Sequence, residues 1–114
     1  MIVLDTCAFL TQKHPNGEFA TVPGIKNEIV NKQSKQYFEN MLATNLKIMK
    51  AEKSSYEIVQ KQAKETGDFD VLSRVDIDII ALGYQCKGTI ITDDFAIQNI
   101  ALAVYYTHIR AHET

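Results

Sequence analysis

Two short apolar runs, one near each end of the chain, lead directly into acidic residues. The first covers residues 2–4 and is followed by Asp5, and the second covers residues 89–92 and is followed by Asp93 and Asp94. Short apolar runs of this kind are typical of buried strands. Because segments with helical spacing lie between them, they predict βαβ units around a parallel sheet. Such a sheet places its ligand site at the carboxyl ends of its strands, which is where these acids lie.

The remaining pattern predicts the other elements of an α/β domain. We expect further strands at residues 19–22, 46–49 and 104–109, which gives a mainly parallel sheet of about five strands. We expect helices over about residues 24–32, 37–42, 54–65, 74–86 and 95–103. Ser54 or Ser55 is expected to cap the third of these helices, and Ser73 the fourth. With 114 residues, the chain is expected to form one domain, residues 1–114.

Charge and hydropathy argue against several classes of protein. Twelve Lys and Arg against fourteen Asp and Glu give a net charge of -2, unlike a basic protein that coats nucleic acid. An enzyme that handles RNA through a local basic rim is still allowed. No apolar run approaches the length of a membrane span, and the first five residues lack the basic region of a signal peptide. Cys7 and Cys86 form no CxxC pair, so we expect a reduced, cytoplasmic protein with two small buried cysteines.

Each acidic candidate has an ordinary structural explanation when it is taken alone. Asp5 and Asp94 could each cap the helix that follows, and Glu28 could pair with Lys32 at i,i+4. Taken together with Asp76, however, these acids could converge at one end of the sheet. No Lys or Arg is obviously placed among them.

Asp76 and Asp78 can be separated by their positions on the predicted helix. Side chains two residues apart on a helix point in directions about 200° apart, so one small site cannot easily use both aspartates. Asp76 shares its face with apolar residues that should turn inward, and an acid on such a face needs a compensating group such as a divalent cation. Asp78 lies four residues after Arg74 and could form a solvated pair with it. We therefore expect Asp76 in the site and Asp78 at the surface.

Carboxylates without cationic partners favour a particular kind of metal. Oxygen donors of this type suit Mg²⁺ or Mn²⁺, whereas zinc would require His or Cys. Such a cation could activate a water and neutralise charge on a phosphodiester. Thr6 and Thr92, which flank the strand-end acids, could orient carboxylates or metal-bound waters. Both threonines could equally reflect strand propensity and helix capping.

These residues resemble the PIN-domain nucleases in their order and spacing. The resemblance rests on Val3-Leu4-Asp5-Thr6, the mid-chain Glu28, Leu72-Ser73-Arg74-Val75-Asp76 and Ile91-Thr92-Asp93-Asp94-Phe95. Two longer stretches are similar to the Nob-type branch, which trims the 3′ end of small-subunit rRNA precursors. They are Thr66-Gly67-Asp68 leading to Leu72-Ser73-x-x-Asp76-Ile77, and Thr92-Asp93-Asp94-Phe95-Ala96-Ile97-Gln98-Asn99.

The resemblance implies a fold, a site and an activity. The fold would be a three-layer α/β/α sandwich around a mainly parallel sheet. The metal-binding acids would be Asp5, Glu28, Asp76 and Asp94, with Asp93 in support. The activity would be Mg²⁺- or Mn²⁺-dependent cleavage of single-stranded RNA, with an rRNA precursor as substrate and a ribosome-assembly protein as a possible partner. One departure from the family pattern concerns the zinc ribbon that Nob-type proteins usually carry after this domain. Residues 1–114 contain no cysteine pairs that could form such a ribbon.

Other functions fit part of the pattern. A toxin-type PIN ribonuclease of a toxin–antitoxin pair would share the fold and the chemistry but cleave other RNAs. A response-regulator receiver also has strand-end acids, but it would need an acidic pair after the first strand and a Lys on the last. A non-catalytic RNA-binding scaffold would tolerate the loss of one or more acids, yet all four positions are filled.

Overall fold

The centre of the fold is a parallel β-sheet. The computed structural model describes residues 1–109, and within them the sheet has four strands in the order β3-β2-β1-β4. All three strand pairs are parallel. The strands are β1 (Ile2–Leu4), β2 (Phe19–Thr21), β3 (Leu46–Ile48) and β4 (Thr89–Ile91). The predicted α/β class with a parallel sheet is confirmed, and the carboxyl ends of β1 and β4 lie side by side.

Six α-helices connect the strands of the described part of the chain. They are α1 (Thr6–Thr11), α2 (Ile25–Glu28), α3 (Lys32–Leu42), α4 (Lys53–Thr66), α5 (Arg74–Cys86) and α6 (Phe95–Val104). A 3₁₀ turn (Phe69–Val71) precedes α5, and a π-helical turn (Tyr105–Ile109) follows α6. No helix within residues 1–109 is both long and apolar enough to cross a membrane.

Both faces of the sheet are covered, which gives the three layers. Val3 and Leu4 are consecutive in β1 and point to opposite faces, yet both are fully buried. One helix, α5, packs against β1 and β4, while α1 contacts β1 and α3 contacts β3. Two further helices, α4 and α6, pack against α5, where they build a second apolar cluster around Ile80 and Ile100. The sheet edge that carries the strand-end acids is therefore fixed by packing on both sides.

The prediction of a strand at residues 104–109 is wrong. Tyr105 instead donates its backbone N–H to carbonyls of α6, at Ala101 and Leu102, and the chain continues as the π-helical turn. The Thr107 hydroxyl donates to the Ala103 carbonyl at 2.8 Å, which is a helical contact. Among the described residues the sheet consequently ends at β4, with one strand fewer than expected.

Helix boundaries differ from the expectation in two other places. The helix expected to run to about residue 32 ends at Glu28, and Asn31 caps a separate helix, α3. The N-cap of α4 is Glu52, not Ser54 or Ser55, and it makes no side-chain capping bond. The cap of α5 at Ser73 is confirmed.

Candidate active site

Asp5 lies at the carboxyl end of β1 and is almost completely buried, with 6% of its surface exposed. Its backbone N–H donates to the Ile91 carbonyl at 3.2 Å, which extends the pairing of β1 with β4. One carboxylate oxygen, Oδ1, accepts the backbone N–H of Thr6 at 2.7 Å, so Asp5 is also the N-cap of α1. The Thr21 hydroxyl donates to the Leu4 carbonyl at 2.8 Å and fixes the peptide that precedes Asp5.

Thr92, the residue after β4, holds the second oxygen of Asp5. Its hydroxyl donates to Asp5 Oδ2 at 2.8 Å and accepts the Asp94 backbone N–H at 3.1 Å. Burial raises the pKa of Asp5 above its ordinary value, and the hydrogen bonds from Thr92 and Thr6 oppose that shift. The nearby carboxylates of Asp76 and Glu28 raise the pKa further. Three of the four expected acids therefore share one electrostatic environment.

Glu28, the last residue of α2, is joined to this group by Thr6. The Thr6 hydroxyl donates to Glu28 Oε1, so each strand-end threonine of the prediction orients one carboxylate. Because α2 ends at Glu28 and Lys32 begins α3, the alternative of a helical i,i+4 pair between these two residues does not apply. Sequence reasoning singled out both Thr6 and Glu28, although nothing in the spacing predicted that they would contact each other.

Asp76 lies in the first turn of α5 and is held by a capping box. Its Oδ2 accepts the Ser73 backbone N–H at 2.9 Å, and its own N–H donates to Ser73 Oγ at 3.1 Å. Among the described residues, the other carboxylate oxygen of Asp76 makes no hydrogen bond, and the charge of Asp76 acts on Asp5. Asp76 therefore combines the structural role of an N3 acid with a place beside the buried carboxylate.

Asp78 is more buried than expected. It does form an ion pair with Arg74, at 3.8 Å, but its side chain is only 25% exposed. Burial raises the pKa of Asp78, while the Arg74 guanidinium and then the Lys50 ammonium act in the opposite direction. The expected partner is thus confirmed, and the side chain is half-buried rather than fully exposed at the surface. Asp78 is not among the groups that act on Asp5.

Asp93 and Asp94 follow β4 and are both exposed. Asp94 is the N-cap of α6, and its Oδ1 accepts the Ala96 N–H at 2.8 Å. Its connection to Asp5 runs through Thr92, which hydrogen bonds to both residues. The structure therefore places Asp94 at the same sheet edge, but one hydrogen-bonded residue away from the buried carboxylate.

The donor set fits a hard divalent cation in its chemistry, although the side chains do not enclose one. Within the described residues, no three His, Cys, Asp or Glu side chains are close enough together to hold a metal ion. The groups that act on Asp5 are nevertheless carboxylates and hydrogen-bond donors, with no Lys or Arg among them. Within residues 1–109, each Asp5 oxygen accepts one hydrogen bond and retains a lone pair. Oxygen donors without a cationic partner are the set that Mg²⁺ or Mn²⁺ prefers.

Two residues of this edge were missed by sequence reasoning. Cys7 is half-buried rather than buried, and its thiol lies near the Asp93 backbone and the Thr92 side chain, which act on its pKa. Burial raises the pKa of its thiol, and the charges of Asp5 and Asp93 raise it further. Gln98 donates its side-chain amide to the Thr92 carbonyl at 2.9 Å. In the sequence, the position of Gln98 on α6, four residues after Asp94, was the signal that could have placed it near the site.

Known ribonucleases are similar in sequence to this chain over most of its length. It is 35% identical over 107 residues to endoribonuclease Nob1 of Archaeoglobus fulgidus, an alignment covering 90% of this chain and 63% of the relative. It is 32% identical over 101 residues to ribonuclease VapC1 of Thermoplasma acidophilum, covering 87% and 52%. It is 30% identical over 104 residues to the 20S-pre-rRNA D-site endonuclease NOB1 of Saccharomyces cerevisiae, covering 85% and 22%. The chain spans less than two thirds of the length of these curated relatives.

A family match covers most of the acids described above. Residues 2–86 match the PIN domain of ribonuclease, a range that contains Asp5, Glu28 and Asp76. The alignments with the relatives, at 101 to 107 residues, are longer than this range. With a parallel α/β/α fold and acids at the carboxyl edge of its sheet, the chain belongs to the PIN-domain family.

Proposed function

We propose that this chain is a metal-dependent endoribonuclease that hydrolyses phosphodiester bonds of single-stranded RNA. The observation that carries the proposal is the environment of Asp5: a buried carboxylate, held by two hydrogen bonds, beside two further carboxylates. Such a group is costly to keep ionised without a cation. The membership in a family of ribonuclease domains supports RNA as the substrate class.

In this proposal Asp5, Glu28, Asp76 and Asp94 hold Mg²⁺ or Mn²⁺, with Asp93 in support. When bound, the cation supplies activation of a water and neutralisation of phosphodiester charge. The protein's own part is to fix the carboxylates before any ligand arrives. Asp5 is fixed by packing and by the Thr92 hydroxyl, and Glu28 by the Thr6 hydroxyl. Oriented carboxylates do not have to be reorganised on binding, which strengthens metal affinity.

The RNA target that we propose is the 3′ end of the small-subunit rRNA precursor. Two comparisons support it: the identity to endoribonuclease Nob1, and the identity to a yeast relative whose name assigns it to the D site of 20S pre-rRNA. A target of this kind is cleaved within an assembling ribosome, so a ribosome-assembly protein is the proposed partner.

Cleavage of a labelled precursor RNA tests this function. The substrate is an RNA that spans the mature 3′ end of the small-subunit rRNA, incubated with Mg²⁺, Mn²⁺ or EDTA. We expect endonucleolytic cleavage that requires the divalent ion and that is lost in Asp76→Asn. Undiminished cleavage in EDTA would refute the metal dependence. Equal cleavage by Asp76→Asn and wild type would show that the carboxylates are not the site.

The toxin-type ribonuclease is the second candidate, and the match to ribonuclease VapC1 favours keeping it. It shares the site and the chemistry, so only the substrate separates the two proposals. The same reaction with tRNA and with mRNA, in place of the rRNA precursor, discriminates them. Cleavage of tRNA or mRNA at a defined site, with the precursor left intact, would favour the toxin type.

A further inference from the structure

Phe95 is a large aromatic residue that the fold leaves in solvent. It is the first residue of α6, directly after Asp94, and 85% of its surface is exposed. The same helix anchors itself in the core through Ile97, Ile100 and Val104, which are all buried. Since Phe95 contributes almost no buried apolar surface, the stability of the domain does not account for an aromatic ring at this position.

The Phe95 ring borders an open concavity of about 470 Å³ on the surface of α6. Phe95, Asn99 and Leu102 are spaced i, i+4, i+7 and therefore lie on one face of the helix. Leu102 is 55% exposed, and Asn99 is exposed as well. The concavity is completed by Ala96 and Gln98 and, from the loop after α4, by Asp68. It offers an apolar aromatic surface with amide groups beside it.

The lining of this concavity indicates the chemistry of its ligand. It contains no Lys or Arg, and it contains the carboxylate of Asp68, so it is not suited to a phosphate. A flat, uncharged group with a polar edge fits better, because the ring can stack on its face. The Asn99 amide, which makes no side-chain hydrogen bond within the described residues, can donate to and accept from that edge. An unpaired nucleobase has these properties.

Two residues of the concavity, Gln98 and Phe95, are directly linked to residues of the candidate active site. Gln98 lines it and also donates to the Thr92 carbonyl, and the Thr92 hydroxyl holds Asp5. Phe95 itself follows Asp94 in the chain. A base that stacks on Phe95 would therefore belong to a nucleotide close to the phosphate at the acids. This link to the candidate active site favours RNA over a protein partner as the occupant.

We propose that Phe95 is a substrate-binding residue that stacks on an unpaired base of the RNA beside the scissile phosphate, with Asn99 at the edge of that base. The inference rests on the proposed ribonuclease function and adds to it a subsite for one nucleotide. It also gives a reason for the single-stranded substrate of the proposed function, because a base inside a duplex cannot offer its face to the ring.

The first test is the affinity for a fluorescent single-stranded RNA in EDTA, where cleavage does not interfere. Base–aromatic stacking lost on truncation corresponds to about 5- to 150-fold weaker binding. We expect this loss in Phe95→Ala and in Phe95→Leu, which keeps an apolar side chain but no ring. Phe95→Tyr is expected to bind like wild type. The matched control is Leu10→Ala, which truncates a half-exposed apolar residue on α1 and is expected to leave affinity unchanged.

The second test couples the ring to one base. RNAs carrying a single abasic nucleotide at successive positions around the cleavage site are bound to wild type and to Phe95→Ala. At one position the abasic RNA is expected to bind wild type as weakly as intact RNA binds Phe95→Ala, with no further loss in the variant. Additive losses at every position would overturn the stacking proposal.

The outcomes separate this inference from the proposed function. If wild type cleaves RNA with Mg²⁺ and Phe95→Ala binds as tightly as wild type, stacking is refuted and the nuclease function stands. That result would instead mark the exposed ring as a contact for a protein partner. If wild type neither binds nor cleaves single-stranded RNA, the proposed function fails, and this inference fails with it.

Discussion

Replacing Thr92 by valine tests whether Asp5 is an ionised carboxylate that depends on its hydroxyl donor. Valine has nearly the shape of threonine but cannot donate to Asp5 Oδ2, which now receives a hydrogen bond of 2.8 Å. Hydrogen bonds to charged groups contribute about 1.5–3 kcal/mol. The Asp94 N–H also loses its acceptor, but Asp94 is exposed, so water can replace it. We expect the free energy of unfolding at neutral pH to fall by about 1.5–3 kcal/mol.

The pH dependence of this loss identifies its cause. The pKa of Asp5 is raised above its ordinary value of 3.8, so its ionisation costs stability. The stability associated with protonated Asp5 is fully present below pH 3.8 and is lost as the pH rises through the folded-state pKa. Without the Thr92 donor that pKa rises further. The deficit of Thr92→Val should therefore be largest at neutral pH and shrink in acid, toward the roughly 1 kcal/mol of a neutral hydrogen bond.

The assay is urea unfolding in EDTA at several pH values, with Thr89→Val as the matched control. Thr89 is an exposed threonine on β4, and its side chain makes no hydrogen bond within the described residues, so the same substitution there changes only the strand surface. We expect Thr89→Val to stay within about 0.5 kcal/mol of wild type. If the two variants are equally stable at neutral pH, or if the Thr92→Val deficit does not change with pH, the reasoning about Asp5 is wrong.

Three further outcomes follow from the same geometry. Asp76→Asn is expected to lower the single-turnover cleavage rate at least about 100-fold, whereas Asp78→Asn, which loses an ion pair with Arg74, should retain most of the rate. Asp5→Asn is expected to raise the melting temperature in EDTA and to reduce the stabilisation given by Mn²⁺; a lower melting temperature with an undiminished Mn²⁺ effect would make Asp5 a structural cap only. Ser73→Ala removes a capping box and should cost about 1 kcal/mol in thermal melts, while Ser54→Ala should cost less than half of that.

The edge that carries the site was predictable because it depends on local signals. A buried apolar run that ends in an acid predicts both the strand and the place of the carboxylate, and parallel pairing then brings Asp5 and Thr92 together. The cap of α5 was predictable for the same reason, since Ser73 precedes an apolar run and Asp76 stands at N3. The contact of Thr6 with Glu28 was not predictable, because it joins two residues 22 positions apart in the sequence.

Residues 104–109 show how tertiary contacts override a local signal. Their aromatic and β-branched residues have strand propensity, which is why a strand was expected. Val104 is buried instead, in the apolar cluster that α4, α5 and α6 share. The Thr107 hydroxyl, which donates to Ala103, also lies 3.3 Å from the side-chain oxygen of Gln62 on α4. Packing against α4 stabilises a helical continuation, and strand propensity is too weak to oppose it.

Asp78 shows where the argument from helix faces fails. Assigning Asp76 inward and Asp78 outward assumes a helix with one buried face, which holds for a helix at the surface of a domain. In this fold α5 lies between the sheet and the pair α4 and α6, so apolar residues nearly all round it are buried, including Ile77, Ile79 and Ile80. The Asp78 side chain is therefore partly covered, with 25% of its surface exposed. Its burial raises the pKa of Asp78, and Arg74 and Lys50 offset that cost, whereas Asp76, at the open end of the helix, lies beside the buried carboxylate of Asp5.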